Sequence, residues 1–203
     1  MKNLCRILPI ALLFSICATY ANALNCFDRS PTSKNLQNPY PPLKVRELTK
    51  EENESLKATF KSLHGDWRVT GEYEICSGSY DSPEQKIIKY ILRARLETDH
   101  YGSFTMRVEV KAVRGVNDLE NFSLYLTGKE LRAGDYTDFG KVELIKVSPT
   151  LLSYRQLVLV QKVPLKRETF TTIQMSPIAL SIDRTFYLQG RLVGHKVWRF
   201  KKN

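Results

Sequence analysis

Alternation of apolar and charged residues is the feature that most limits how this 203-residue chain can fold. Between residues 88 and 96 the even positions are apolar and most of the odd positions are basic. Between residues 104 and 111 the same period sets apolar residues against polar and charged neighbours. A period of two is that of a β-strand, whose successive side chains point to opposite faces of a sheet. Each segment is therefore predicted to be a strand with one buried face and one solvated face.

Seven further segments have strand character, and the connections between them are short. They are residues 67–76, 121–127, 140–148, 151–163, 167–175, 178–188 and 191–200. Turn-forming residues such as Pro149, Pro177 and Gly190 separate them. Connections this short join antiparallel neighbours, and a meander of many such strands avoids open edges by closing on itself. The sequence thus predicts an all-β fold, an antiparallel up-and-down barrel of eight or nine strands, with a two-sheet sandwich as the alternative.

A helix is predicted to precede the barrel. Thr49 and Glu52 have the spacing of a capping box, in which the hydroxyl accepts from the glutamate amide and the carboxylate reaches back. Three apolar residues then recur at helical spacing: Leu56, Phe60 and Leu63. We expect a helix over about residues 50–64. Its apolar side is expected to cover the outer side of strand 151–163, which is apolar on both faces, with a partner protein as the alternative cover.

The N-terminus has the parts of a cleavable signal peptide, expected over residues 1–23. Two basic residues precede an apolar run over residues 7–17, and Ala21 and Ala23 are the small residues that a signal peptidase requires. The apolar run is shorter than the roughly 20 residues of a membrane-spanning helix. We therefore expect cleavage near Ala23 and export, either to a periplasm or out of the cell.

The exported chain is predicted to have an extended tail and one domain. Residues 24–47 are rich in proline and form the tail, and residues 48–203 form a single β-barrel domain that includes the helix. Cys26 and Cys76 are the pair of cysteines that remains after cleavage, in a compartment where disulfides persist. A bond between them would fasten the tail to the end of the first strand. Two free thiols are the alternative.

The chain is basic, with 31 lysines and arginines against 21 acids. Two of the basic residues leave with the signal, so the exported chain carries a net charge of (31 − 2) − 21 = +8. The basic residues are scattered along the strands and interleaved with acids, which is typical of a solvated outer face. The other interpretation is a basic surface that attracts anionic lipid, polymer or nucleic acid.

A short motif at the start of the first strand and a cation on the last strand resemble the lipocalin and calycin barrels. The motif is Gly65-Asp66-Trp67, and the cation is Arg199, with Arg191 as the second candidate. The resemblance covers about residues 48–203 and implies that the cation packs across the indole of Trp67. A guanidinium on an indole face gains roughly 0.5 to 2 kcal/mol. Gly65, Trp67 and Arg199 would therefore close the barrel rather than bind a ligand.

The inner face of such a barrel either fills the core or leaves room for one small ligand, and both remain open here. The inner-face candidates are Tyr73, Tyr90, Phe104, Met106, Phe122, Leu124, Tyr154 and Val158. Tyrosine hydroxyls would supply the few polar groups that orient an otherwise apolar guest. The first functional hypothesis is therefore an exported, monomeric, lipocalin-like protein that binds or carries a small apolar or amphipathic molecule.

Motifs that carry catalytic or cofactor chemistry are not found. His64, His100 and His195 have no carboxylate or cysteine at the spacing of a metal site, and no nucleophile elbow or phosphate-binding glycine loop occurs. We expect no metal, no cofactor, no catalysis and no specific binding of nucleic acid. The second hypothesis is a basic secreted module with a filled barrel. Its partner would be an anionic envelope component, a lipid headgroup or a protein that it inhibits. An enzyme with its site in the loops is the third.

Overall fold

The computed structural model describes residues 25–35, 39–99, 104–112, 120–134, 139–160 and 165–202. The side chains of 92, 99, 104–112, 120, 121 and 139 lie outside that description. In chain order the elements are α1 (Lys50–Ser62), β1 (Gly65–Ser79), β2 (Ser82–Asp99), β3 (Phe104–Ala112), β4 (Glu120–Thr127), β5 (Glu130–Gly134), β6 (Phe139–Ser148), β7 (Leu151–Leu159), β8 (Lys166–Met175), β9 (Ala179–Leu188) and β10 (Arg191–Lys202). Within these ranges no helix is long and apolar enough to cross a membrane.

The strands form a closed antiparallel barrel. Each strand pairs with its neighbours in sequence, and β1 closes the ring by pairing with both β2 and β10. The predicted all-β, up-and-down barrel with a preceding helix is confirmed against the two-sheet sandwich. The described strands include one that the sequence did not indicate, the five-residue β5. Only Leu131 and Ala133 alternate with polar residues in β5, which is too short a run for a period of two to be recognised.

Helix α1 closes one end of the barrel. The capping box is confirmed, because the Thr49 hydroxyl accepts from the Glu52 amide at 3.1 Å and the Glu52 carboxylate accepts from the Thr49 amide at 2.9 Å. The helix contacts two of the turns at this end: Thr59 Oγ1 donates to the Pro149 carbonyl at 3.0 Å, and the Asn53 amide donates to the Gly128 carbonyl. It thereby acts as a lid on the inner core.

The predicted position of the helix over the outer side of strand 151–163 is wrong. The apolar stripe of α1 is completely buried against the inner side chains at the barrel end: Leu56, Phe60 and Leu63. The strand itself ends at Leu159, whose side chain is 63% exposed. The stripe packs at the end because the inward residues of the meander form a larger apolar surface there than the outer side of one strand offers.

The N-terminal segment runs along the outer face of the barrel beside β7 to β10. Its described parts, residues 25–35 and 39–48, meet the turn between β9 and β10. There the Ser30 amide donates to the Gly190 carbonyl at 2.8 Å, and the Tyr40 hydroxyl accepts from the Gly190 amide at 3.0 Å. The predicted disulfide is confirmed, with 2.12 Å between the sulfurs of Cys26 and Cys76, near the end of β1.

A buried ion pair lies beneath this segment, on the outer face of the sheet. Glu168 of β8 is completely buried and pairs with Arg155 of β7, whose Nη1 also contacts Glu143 at 2.8 Å. The hydroxyls of Ser30 and Thr32 both donate to the Glu168 carboxylate, at 2.5 Å from Thr32. Buried charges require partners of this kind, so the network fixes the N-terminal segment to the barrel wall.

Candidate functional site

The two halves of the barrel interior differ in how well they are filled. Next to α1 the inward side chains are almost inaccessible, as Trp67, Ile173 and Phe200 are at most 3% exposed. Toward the opposite end, inward residues such as Ile88 and Val158 are partly exposed. Side chains therefore fill the half under the helix, whereas solvent reaches the inner face of the other half.

Three cations project into the accessible half. They are Arg167 of β8, Arg184 of β9 and Lys196 of β10, and each occupies an inward position in the alternation of its strand. Arg184 and Lys196 are direct cross-strand partners. Lys196 is only 6% exposed, and the two arginines are half-buried. Cations in such positions are uncommon because burial disfavours the charged form.

Aromatic rings hold these cations in place. The guanidinium groups of Arg167 and Arg184 both lie over the Phe186 ring, at 5.0 Å and 5.2 Å from its centroid. The Lys196 ammonium lies 4.4 Å from the centroid of Tyr73, and Tyr73 meets Phe186 edge to face at 6.3 Å. Each ring face attracts a cation without neutralising its charge. We refer to Arg167, Arg184, Lys196, Tyr73 and Phe186 as the cation–aromatic cluster.

Two glycines make room for the tyrosines of the interior. A Cβ added at Gly194 would lie 3.2 Å from the Tyr73 ring, and one at Gly71 would overlap the Tyr90 ring. The Tyr90 hydroxyl in turn accepts from the Trp198 indole at 2.9 Å. Tyr90 therefore links the accessible half to the filled core, whereas the Tyr73 ring contacts Lys196 in the accessible half.

Two donors beside the cluster, Arg167 Nε and the Thr169 hydroxyl, are buried without a hydrogen-bond partner. The hydroxyls of Tyr154 and Thr171 are buried beside them and interact with each other. Burial raises the pKa of Tyr154 to about 12, although the nearby charge of Arg184 and the Thr171 hydroxyl act in the opposite direction. Tyr154 is thus a neutral donor at physiological pH. Buried groups of this kind are costly unless something satisfies them.

The inner face at this end is cationic overall. The described carboxylates of β1 and of β5 to β10 all lie on the outer face, among them Glu143, Glu168 and Asp183. Glu84 and Lys86 of β2 also have the inward parity, but both are exposed near the start of that strand and their charges cancel. Among the described side chains, the inner face at this end therefore keeps the positive charge of Arg167, Arg184 and Lys196.

The predicted inner-face residues divide between the two halves. Leu124 belongs to the filled core, whereas Tyr73 lies in the cation–aromatic cluster. Phe122 and Tyr154 join the two halves, because Arg184 lies over the Phe122 ring at 5.4 Å and both side chains are buried. The predictions for Phe104 and Met106 concern side chains outside the described part of β3.

The cations themselves were missed by the sequence analysis. A signal for Lys196 exists, because it has the same parity as Gly194 and Trp198 on β10 and therefore must face inward with them. Arg184 likewise shares its parity with Ile182 and Phe186. The charge of these residues favoured an assignment to the solvated face.

The predicted contact between Arg199 and Trp67 is wrong. Arg199 is exposed on the outer face of β10, because its neighbours Trp198 and Phe200 take the inward positions. Lys202, three residues later, lies over the Trp67 ring at 5.6 Å, and its ammonium donates to the Ser62 carbonyl at the end of α1. The cation that closes the barrel is thus a lysine, and it also satisfies the C-terminus of the helix.

The second candidate for this contact, Arg191, is also elsewhere: it stacks on the Tyr80 ring at 4.6 Å. Gly65 begins β1 with a φ of 127°, a conformation that favours glycine, and the Trp67 indole donates to the Leu63 carbonyl at 2.9 Å. Gly65 and Trp67 therefore form the joint between the helix and the barrel.

The histidines do not form a metal site in the described structure. His195 lies on the outer face, where its Nε2 is 2.9 Å from Asp183 Oδ1. This hydrogen bond raises the pKa of His195, while partial burial acts in the opposite direction. Among the described residues, no group of three or more potential ligands could hold a metal ion. His100 lies outside the described residues, and His64 is exposed after α1.

Comparison with known proteins adds only structural likenesses. No protein-family model matches the chain, and no curated protein sequence matches it. An S-type phycobiliprotein lyase, CPES from Guillardia theta, is similar with a TM-score of 0.46 and 10% identity, over 78% of this chain and 98% of that one. A redesigned β-barrel has a TM-score of 0.32 and 12% identity, over 71% and 93% of the two chains.

The ywiB protein from Bacillus subtilis is similar with a TM-score of 0.30 and 10% identity, over 68% of this chain and 93% of that one. The redesigned protein is described as a β-barrel, which is the architecture of the present chain. Likeness at this level concerns the barrel alone, and nothing about function follows from it.

Proposed function

We propose that this protein binds a small amphipathic molecule inside the barrel, with an anionic group of that molecule held at the cation–aromatic cluster. The observation that carries the proposal is the positive, partly accessible inner face beside buried donors that have no partner. The first functional hypothesis allowed a small apolar or an amphipathic ligand. The proposal here is an amphipathic ligand that carries an anionic group.

The donors on β8 are arranged to meet an extended ligand. Arg167, Thr169 and Thr171 occupy three successive inward positions, which a strand spaces about 7 Å apart. An anion at Arg167 would accept from the unpartnered Nε, and a polar atom farther along the ligand would accept from the Thr169 hydroxyl. Each bond to a charged group is worth about 1.5 to 3 kcal/mol.

The surroundings of the donors favour an apolar or aromatic body. Val158 pairs directly with Arg167 across the β7–β8 ladder, and Phe122 lies under Arg184. Binding sites for small molecules combine such apolar walls with a few placed polar groups. A freely water-soluble anion would make no use of the walls, so an amphipathic ligand suits the site better.

Export belongs to the same proposal. The Cys26–Cys76 bond supports it, because structural disulfides persist in oxidising compartments. Residues 1–23, which have the pattern of a signal peptide, lie outside the described residues. Sequencing the N-terminus of the protein from its own host would test this part, and a chain that still begins at Met1 would contradict it.

The test of ligand binding is isothermal titration calorimetry with two ten-carbon amphiphiles of opposite charge. We expect decanoate to bind and decyltrimethylammonium to bind at least tenfold more weakly, because the inner face is positive. Equal affinities, or no heat with decanoate, would contradict the proposal. Both amphiphiles are used below their micelle concentrations.

Two adjacent residues of β8 provide a matched pair of variants. Arg167 faces inward and Lys166 is exposed on the outer face, so R167Q and K166Q each remove one charge from opposite sides of one strand. R167Q is expected to weaken decanoate binding about tenfold, which corresponds to roughly 1.4 kcal/mol. K166Q is expected to change it less than twofold. Thermal unfolding of both variants establishes that the barrel remains folded.

A further inference from the structure

A row of basic residues crosses the outer face of the barrel on neighbouring strands. Arg68 of β1 is the direct cross-strand partner of Lys201 on β10 and of Arg93 on β2. Arg93 is in turn paired in register with Lys111 of β3. Strands lie about 4.8 Å apart, so four basic positions follow one another over about 15 Å. We refer to the three whose side chains are described, Arg68, Arg93 and Lys201, as the basic row.

Stability of the fold does not explain this row. Like charges that lie directly opposite each other on a sheet are destabilising. Other cations of the same face are paired, as Lys89 is with Glu72 at 3.4 Å and Arg95 is with Glu97 at 3.2 Å. Within the described part of the chain, Arg68, Arg93 and Lys201 make no ion pair, and all three are exposed.

Nearby groups extend the positive surface. Arg199, two residues before Lys201 on the same outer face, is also exposed and makes no ion pair among the described residues. The acid nearest to Arg68 in sequence on this face is Asp66, which is exposed and lies two residues earlier on β1. The described part of the patch thus holds four cations, Arg199 included, and one carboxylate, which favours an anionic partner.

An exposed isoleucine lies within the patch. Ile91 is 67% exposed and occupies the outward position next to Arg93 on β2. Ile87, 52% exposed, is on the same face of the same strand. Apolar side chains beside cations suit a membrane surface, where the cations meet phosphates and the apolar groups enter the boundary of the acyl chains.

Nucleic acid is less well matched by this surface. Single-stranded binding sites place aromatic rings among the cations so that bases can stack on them. The outward residues of β1 and β2 beside the basic row include no aromatic side chain, from Asp66 to Glu74 and from Ile87 to Glu97. The patch has the composition of a lipid-contacting surface instead.

We propose that the basic row, with Ile91, binds the surface of an anionic lipid bilayer from the aqueous side. This surface is separate from the cation–aromatic cluster, because outward and inward positions alternate on every strand that carries it. The proposal therefore stands or falls independently of ligand binding inside the barrel. A protein that also carries an amphipathic ligand would take up or release it at such a bilayer.

Sedimentation with vesicles tests the proposal. The protein is mixed with vesicles of phosphatidylcholine alone or with 30 mol% phosphatidylglycerol, at low and at high salt. Binding is expected only with phosphatidylglycerol and is expected to fall as salt rises, since exposed charges are screened. Equal binding to both kinds of vesicle, or none, would overturn the proposal.

Two triple variants of equal net charge distinguish binding through the basic row from attraction by the overall positive charge of the protein. The triple variant R68Q/R93Q/K201Q is compared with K57Q/K86Q/K166Q, whose three lysines are exposed and make no ion pair in the described structure. The first is expected to bind at least tenfold more weakly, because each cation near an anionic surface contributes about fivefold. An equal loss in both triple variants would show that net charge alone acts, and would overturn the proposal.

The role of the exposed isoleucine is tested without changing charge. I91S is expected to weaken vesicle binding severalfold even at high salt, whereas I145S, at a residue that is 55% exposed on β6, is expected to leave it unchanged.

A final comparison measures binding of a single-stranded DNA of 20 nucleotides at 0.15 M salt. If this DNA binds more tightly than the vesicles, and R68Q/R93Q/K201Q removes that binding, the surface is a nucleic-acid site and the lipid assignment is wrong.

Discussion

Replacement of Glu168 by glutamine is expected to destabilise the protein by about 3 kcal/mol. Glu168 is completely buried and pairs with Arg155, which is 3% exposed. Removing one partner of a buried pair costs about 3 to 5 kcal/mol, because the other charge is left without compensation. The lower end of that range applies here, since Arg155 keeps Glu143 at 2.8 Å and the Pro41 carbonyl at 2.7 Å.

Urea unfolding at pH 7, with the disulfide intact, measures this loss. E143Q is the matched control, because Glu143 is 22% exposed and contacts the same guanidinium. It is expected to cost at most about 1 kcal/mol, as for other partly solvated pairs. The double variant E168L/R155M is expected to recover at least half of the E168Q loss, since apolar residues can replace a buried pair at little cost. An E168Q protein within about 0.5 kcal/mol of the wild type would refute this reasoning.

Two further predictions concern the outer face of the barrel. The variant C26S/C76S is expected to lose about 4 kcal/mol of stability in urea, because the bond closes a loop of 50 residues; a loss below about 1 kcal/mol would contradict this. D183N is expected to lower the pKa of His195, measured by proton NMR of the ring, because the hydrogen bond that the ring donates to Asp183 is the main cause that raises it. Because the pKa of His195 is higher in the folded protein, protonation of the ring stabilises the fold. This stabilisation is complete below the unfolded-state pKa of about 6.5 and is lost as the pH rises through the folded-state pKa. D183N should therefore be less stable than wild type at pH 5 and equal to it at pH 9, and a constant difference would count against the pairing.

Much of the fold follows from two periodicities in the sequence. The alternation of residues 88–96 predicts a strand in β2, and the spacing of Thr49 and Glu52 predicts where α1 begins. These signals are local, because a strand alternates and a helix begins with a cap whatever the rest of the chain does. The pairing of Cys26 with Cys76 was predictable because the expected signal cleavage leaves only these two cysteines.

The position of α1 was not predictable from local patterns. Its stripe is apolar in any environment, and only the closed barrel determines that the barrel end offers the larger surface to cover. The contact of Lys202 with Trp67 has the same cause, since the register of β1 against β10 places position 202 opposite Trp67. Register across the closure of a barrel joins residues at opposite ends of the chain, about which a single sequence holds no direct signal.

The inward cations were hidden by the rule that charged residues face solvent. Lys196 and Arg184 break that rule on adjacent strands, and Tyr73 and Phe186 supply the rings against which they pack. Departures from local rules concentrate at functional sites, where a group is held at a cost to stability. This is the physical reason to look for function at the cation–aromatic cluster.

The measurement that tests the central claim most directly is methyl NMR of the protein titrated with decanoate. The inward methyl groups of Ile88, Val158 and Thr169 are expected to shift in a saturable manner. The outward methyl groups of Ile87 and Ile145 are expected to stay unchanged. Shifts confined to the outward groups, or no saturable shift at all, would contradict the claim that an anionic amphiphile binds inside this barrel.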